Sequence, residues 1–273
     1  KMKQTNPANR IERTKSAPLS FLRRLLIPVL VILLLGVFAS LSLIESSKES
    51  ATADEVAHIP AGISYVQTDD YRMNPEHPML IKYLSGLSAQ AFTHPHINKN
   101  FDGYKQHNQW IFGRELLYST PGNNPDAIVF WGRLPVLILA LALGVLIFLF
   151  ASSMFGRTAG LAALSLYCLD PTMIAYSHLV TFDLPMTTFV TAAIYCLWLA
   201  YKKYSWIACA LAGCFFGLAL ISKISALSSL LLVSLFLIPV TMKLKPSIRG
   251  KFYLKNIALV YAASFGTIRL AYL

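Results

Sequence analysis

The stretch "LLIPVLVILLLGVFASLSLI", residues 25–44, carries no charged side chain over its whole length. As a helix it measures about 30 Å, the thickness of a bilayer's hydrocarbon core. Comparable apolar runs recur at about 130–151, 158–177, 184–201, 205–221, 224–241 and 252–271, so the sequence predicts about seven membrane spans. Lipid offers the backbone no hydrogen-bond partners, which makes each span helical. The expected fold class is all-α: a multi-pass integral membrane protein. Only 14% of the 273 residues are charged, against about 25% in soluble domains.

Charge orients the spans. Lys1, Lys3, Arg10, Arg13, Lys15, Arg23 and Arg24 precede the first run and are opposed only by Glu12. The positive-inside rule therefore puts the N-terminus in the cytoplasm. Alternation places Arg157, Lys202, Lys203 and the basic group from Lys243 to Lys255 on the same side, while all acidic residues but Glu12 fall on the other. The net charge of +11 thus reflects orientation against anionic lipid, and no nucleic-acid partner is expected. Four segments result: a basic cytoplasmic segment 1–24, a first transmembrane helix 25–44, an extracytoplasmic loop 45–129, and the remaining transmembrane helices in 130–273. The length of the first run and the spans that follow it favour a retained anchor over a cleaved signal peptide. Cys168, Cys196, Cys209 and Cys214 all lie in spans and read as packing residues.

The loop 45–129 is far longer than ordinary connections and holds many aromatic residues, so it is neither a simple linker nor disordered. Its "TADE" begins a helix, with Thr52 and Glu55 in capping-box register, running to about Gln67. Asp54 and His58 then stand four residues apart on one face. A second helix starts near Pro78 and shows an apolar face of Leu80, Ile81, Leu84 and Leu87 suited to the membrane surface. The stretch "STPGNNPD" reads as a turn, and "THPHIN", with His94 and His96, as loop. Within eleven positions "YRMNPEHPMLIK" gathers Arg72, Glu76, His77 and Lys82. Two further ionisable sites lie at outer span ends: Asp170, His178 and Asp183 in "LDPTMIAYSHLVTFDLP", and Lys223 in "GLALISKISAL". Groups at such depth are costly, and these all face one side, as members of a single site must.

Five pieces of this pattern resemble the lipid-carrier-dependent glycosyltransferases of the GT-C superfamily, specifically the bacterial branch related to protein O-mannosyltransferases and aminoarabinose transferases. They are "ADEVAH" after the first span, "NPEHPMLIK", "WGRLPVL", "AYSHLVTFDLP" and "GLALISKISAL", in the family's order. Met79 stands where a second proline is usual. The matched pieces correspond to the catalytic N-terminal module, the GT-C module; relatives continue with further spans. A chain beginning with Lys1 then reads as a fragment, and a partner subunit completing the module is an expected partner.

The resemblance implies a polyprenyl-phosphate-linked sugar donor, inverting transfer to a hydroxyl of a protein, lipid or glycan acceptor outside the cytoplasm, and a bacterial inner-membrane location. Such a reaction needs a carboxylate to take the acceptor's proton and cations to hold the phosphate as charge grows on it. Asp54 and Glu55 are the candidate catalytic carboxylates, with Asp54 as base. Arg72, Glu76, His77, Lys82, Asp183 and Lys223 are the candidate substrate-binding residues. A divalent metal ion is a candidate cofactor, with Glu76 and His178 as its ligands. Plainer roles stand beside these. Asp54 and Glu55 also suit a helix N-terminus, Lys82 and Lys223 snorkelling to the interface, and Asp183 a cap. The alternative functions are a non-catalytic GT-C-like scaffold and a transporter. A transporter would place its charges at mid-membrane and show internal repeats, neither of which the sequence does.

Overall fold

A computed structural model describes residues 8–203, 205–229, 231, 235 and 246–273, with no strand among them. The chain is an all-α membrane protein. Among the described residues three helices are long and apolar enough to cross a bilayer: Leu26–Ser46 within α1 (Ala8–Ser46), α6 (Pro125–Phe155), and Asp183–Ala200 within α9 (Asp183–Lys203). The apolar helices α7 (Arg157–Leu169) and α10 (Trp206–Leu220) are shorter, and α11 (Pro246–Ala271) closes the bundle. The run 158–177 is not one helix. It breaks at Asp170, whose carboxylate accepts from Met173 N–H at 2.9 Å and caps the six-residue α8 (Pro171–Tyr176). Pro171 has no N–H to continue α7 and starts α8 instead. The sixth expected span, 224–241, falls largely outside the described residues. Apolar side chains such as Ile32, 69% exposed, line the outer face of α1, as a lipid-facing surface requires.

The loop builds its own helical layer over one end of the bundle. It contains α2 (Ala53–Thr68), α3 (Leu80–Thr93), α4 (Asp102–Lys105) and α5 (Gln109–Arg114), the last followed by a π-turn. The two longer helices match the sequence expectation. The short ones have only local signals, such as Asn108 capping α5 through bonds from Trp110 and Ile111 N–H. Helices α2 and α3 cross at glycine against glycine. A Cβ added at Gly86 would sit 2.0 Å from the Gly62 carbonyl carbon. The same device joins α10 to α11, where Gly213 and Gly217, spaced as in GxxxG, lie against Val260, Ser264 and Thr267.

Two prolines inside helices prepare contacts. Pro60 has no N–H, which removes the helical donor to the Val56 carbonyl. Gly113 of α5 approaches that oxygen so closely that a Cβ there would be 1.8 Å away. Pro135 likewise removes the donor to the Trp131 carbonyl, which accepts the Ser88 hydroxyl of α3 at 2.6 Å. Ser85 donates to the adjacent Gly132 carbonyl at 2.8 Å. Helix α3 is thereby stitched to α6, with Ile59, Ile63, Ile81, Ile128 and Val136 buried between the layers.

Gly86→Ala forces a methyl into the Gly62 backbone and is expected to cost about 1–3 kcal/mol. Gly36→Ala meets nothing within 4 Å and should hold or slightly raise stability, by up to about 1 kcal/mol. Thermal unfolding in detergent checks both; equal melting temperatures would contradict the crossing.

Candidate active site

Glu55 and Arg133, distant in sequence, form the fixed point of the site. Both are fully buried, at 0% and 1% exposure. Arg133 Nε donates to Glu55 Oε1 and Nη2 to Oε2, each at 2.8 Å, in a fork-to-fork pair. The remaining guanidinium donors go to the backbone carbonyls of Ser46, Glu49 and Ser50 at 2.9–3.0 Å. Arginine has five N–H groups, and all five are used. The carboxylate also accepts from Thr52 N–H at 2.9 Å, the reach-back of the capping box, and from Val180 N–H at 3.0 Å. Burial raises the Glu55 pKa, but Arg133 and these amides outweigh it and leave it below the ordinary range. One ion pair thus ties the end of α1, the start of α2, helix α6 and the segment before α9. Every lone pair of Glu55 faces a structural donor, whereas its neighbour Asp54 is exposed and has no side-chain partner among the described residues.

Beyond Val180, the segment before α9 delivers Phe182 and Asp183. The Asp183 carboxylate is ion-paired with the Lys223 ammonium, which lies past the end of α10 and is 28% exposed. His77 packs on Phe182 with ring centroids 4.6 Å apart. Leu80 N–H donates to the Ile221 carbonyl at 3.3 Å, joining the "NPEHP" run to the Lys223 turn. Asp183, His77 and Lys223, from three separate stretches, therefore share one neighbourhood. Beside it opens an apolar groove of about 320 Å³, lined by Leu143, Met173, Tyr176, Leu184 and Thr187 with Asp183 at its edge.

Lys82 is completely buried rather than snorkelling. Its ammonium donates to the Asn74 carbonyl at 2.5 Å, the His77 carbonyl at 2.6 Å and Asn74 Oδ1 at 3.2 Å. Burial without a carboxylate in contact pulls its pKa down to about 7, Glu76 opposing. Two of these donors clamp backbone carbonyls of "NPEH" and the third holds the Asn74 side chain, so Lys82 shapes the loop that presents His77. Its neighbour His58 is 6% exposed and held near 3, first by burial and then by the Lys82 and His77 charges.

The other expected site residues lie as follows. Arg72 is at the surface, forked onto Asp70 at 2.7–3.1 Å. Glu76 is exposed on the same loop. His178 is buried, with Nε2 3.0 Å from Glu49 Oε2. Among the described residues no three His, Cys, Asp or Glu side chains converge as a metal site. Arg133, Asn74 and Phe182 were not among the sequence candidates. Each had one signal, its place in a quoted stretch: Arg133 in "WGRLPVL", Asn74 in "NPEHPMLIK" and Phe182 in "AYSHLVTFDLP".

The molecule is, by fold and site, an integral membrane protein with ionisable groups and an apolar groove at one end of its helices. A family profile for dolichyl-phosphate-mannose-protein mannosyltransferases matches residues 126–265, just over half of the chain. The chain belongs to that family, and so to the glycosyltransferases of GT-C type. The matched stretch carries Arg133, Asp183 and Lys223. No curated protein and no solved structure matches the chain.

Removing one partner of a buried pair strands the other, at about 3–5 kcal/mol. Arg133→Met and Glu55→Gln should each lose that much in thermal unfolding, while the double variant loses less than the two combined. Additive losses would show that the pair is not coupled. The two buried charges also act in opposite pH windows. Glu55, lowered from 4.5, contributes stability that is present above 4.5 and lost as pH falls through its folded value. Lys82 binds its proton less tightly when folded, so stability rises with pH between about 7 and its ordinary 10.5. Melting curves of wild type and Lys82→Met over that alkaline range check this: the rise should be absent in the variant.

Proposed function

We propose that the chain moves a sugar from a polyprenyl-phosphate carrier to an acceptor hydroxyl, with inversion, on the extracytoplasmic face of a bacterial inner membrane. The observation that carries this reading is the Asp183–Lys223 pair at the edge of the apolar groove. A polyprenyl phosphate has an anionic head and a hydrocarbon tail, and this neighbourhood offers a partly exposed ammonium beside an apolar channel. Lys223 holds the phosphate and offsets the charge that develops as the glycosidic bond breaks. His77, set on Phe182, adds a hydrogen-bonding group at the same place.

Asp54 is the base. It is the exposed, unpartnered carboxylate beside Glu55, and Glu55 binds Val180 N–H three residues before Asp183. The ion pair that fixes the start of α2 therefore also holds the segment leading to Asp183, which supports this assignment. The acceptor hydroxyl attacks the anomeric carbon from the face opposite the phosphate, Asp54 takes its proton, and the phosphate departs to Lys223. Arg72 and Glu76 stand at the solvent side of the loop, where the acceptor, a protein, lipid or glycan, enters.

Reconstituted in liposomes with polyprenyl-phosphate mannose, Asp54→Asn should lower turnover by about 10²–10⁴-fold while leaving donor binding in place. Lys223→Met should weaken binding of polyprenyl phosphate itself. Unchanged turnover in Asp54→Asn removes it as base. Failure of the wild-type chain to bind the carrier favours a scaffold role instead. A parallel arm with chelator reads metal dependence.

A further inference from the structure

His58 and Asn74 lie inside the site without a part in the reaction above, and their hydrogen bonds specify a protonation state. Lys82 Nζ donates to Asn74 Oδ1 at 3.2 Å, which sets the orientation of the amide. The other end of the amide, Nδ2, therefore faces His58 Nδ1 at 3.1 Å and donates to it. The Asn74 backbone cannot drift, because its carbonyl accepts from Tyr65 OH at 2.9 Å as well as from Lys82. An imidazole whose Nδ1 accepts carries its single proton on Nε2. That Nε2 has no hydrogen-bond partner among the described residues, and it is not one of the sealed polar atoms left without a partner. It therefore reaches the accessible surface. The ring sits 4.5 Å from Phe182 and edge-on to His77 at 5.9 Å, next in chain to Asp183 and its Lys223 partner.

We propose that His58 is a further substrate-contacting residue, presenting a neutral Nε2–H to the phosphate of the donor, with Asn74 and Lys82 as positioning residues that fix its tautomer. This rests on the phosphate site assigned above. A neutral donor suits the task. Burial and the nearby charges keep the ring unprotonated on Nδ1, so it adds no further cation beside Lys223. An N–H aimed in advance at a leaving phosphate needs no reorganisation as charge accumulates.

Asn74→Asp tests the relay. The carboxylate is isosteric, gives Lys82 an ionic partner, and offers His58 Nδ1 an acceptor in place of a donor, which moves the ring proton to Nδ1. Nitrogen-15 NMR of histidine-labelled protein reports the tautomer, and titration with polyprenyl phosphate reports affinity. The wild type should show Nε2–H and Asn74→Asp should show Nδ1–H, with no fall in melting temperature. Carrier affinity should drop about tenfold in Asn74→Asp and in His58→Phe, the worth of one hydrogen bond to a charged group. His58→Gln, which carries an N–H to a similar place, should fall between. In the His58→Phe background Asn74→Asp should cost nothing more. Three results would overturn the inference: a wild-type ring protonated on Nδ1, a flipped tautomer with unchanged affinity, or an equal Asn74→Asp effect without His58. If the wild type shows Nε2–H but binds no carrier, the transferase reading fails and takes the phosphate role with it.

Discussion

Arginine 133 is the constraint on which the loop end of this molecule depends. A guanidinium taken out of water is tolerable only when its charge is matched and each N–H has an acceptor. Arg133 meets both conditions by drawing on Glu55 and on three carbonyls at and beyond the end of α1. The Ser46 carbonyl is one that a helix terminus leaves without a partner, so the arginine solves two problems at once. The cost of failure is what makes the arrangement specific. Any displacement of α1, α2 or α6 leaves a charge or several polar groups buried and unpaired.

Close backbone approach completes what the charge begins. Prolines in α2 and α6 free carbonyls that a neighbouring glycine and a serine then meet, and Gly62 against Gly86 lets α2 and α3 touch directly. These contacts carry no chemistry. They hold a rigid layer over the helix ends that carries Asp54 and His77, next to the segment that leads to Asp183. Rigidity there matters for the proposed reaction, since attack on an anomeric carbon tolerates little misplacement of the base.

The sequence made some of this legible and hid the rest for definable reasons. Apolar runs and charge bias announced the membrane helices, and "TADE" announced the start of α2, because both signals are local. The break at Asp170 was also local: an aspartate before proline suits an N-cap, and Asp170 has that role, with no part in the Asp183–Lys223 neighbourhood. What could not be read was the role of Glu55. Its carboxylate caps α2 as the pattern suggests, but its burial and its bond to Arg133 are set by residues 78 positions away. Lys82 shows the same limit. A lysine at the start of an amphipathic helix suggests an interfacial or phosphate-facing amine, whereas the acceptors that hold it inside belong to the loop's own backbone, which has no sequence signature. Asp183 and Lys223, by contrast, were placed on the same side by span counting, and the structure joins them.

The central claim is that a single buried pair positions the N-terminal end of α2 against the segment that leads to Asp183. Hydrogen exchange measured by mass spectrometry on wild type and Arg133→Met tests it most directly. Val180 N–H bonds to Glu55, and residues 50–56 take their position from the same carboxylate. The account predicts that protection is lost together at residues 50–56 and 177–183, while α10 and α11 exchange as before. Loss confined to the neighbourhood of residue 133, with the 177–183 segment unchanged, would contradict it.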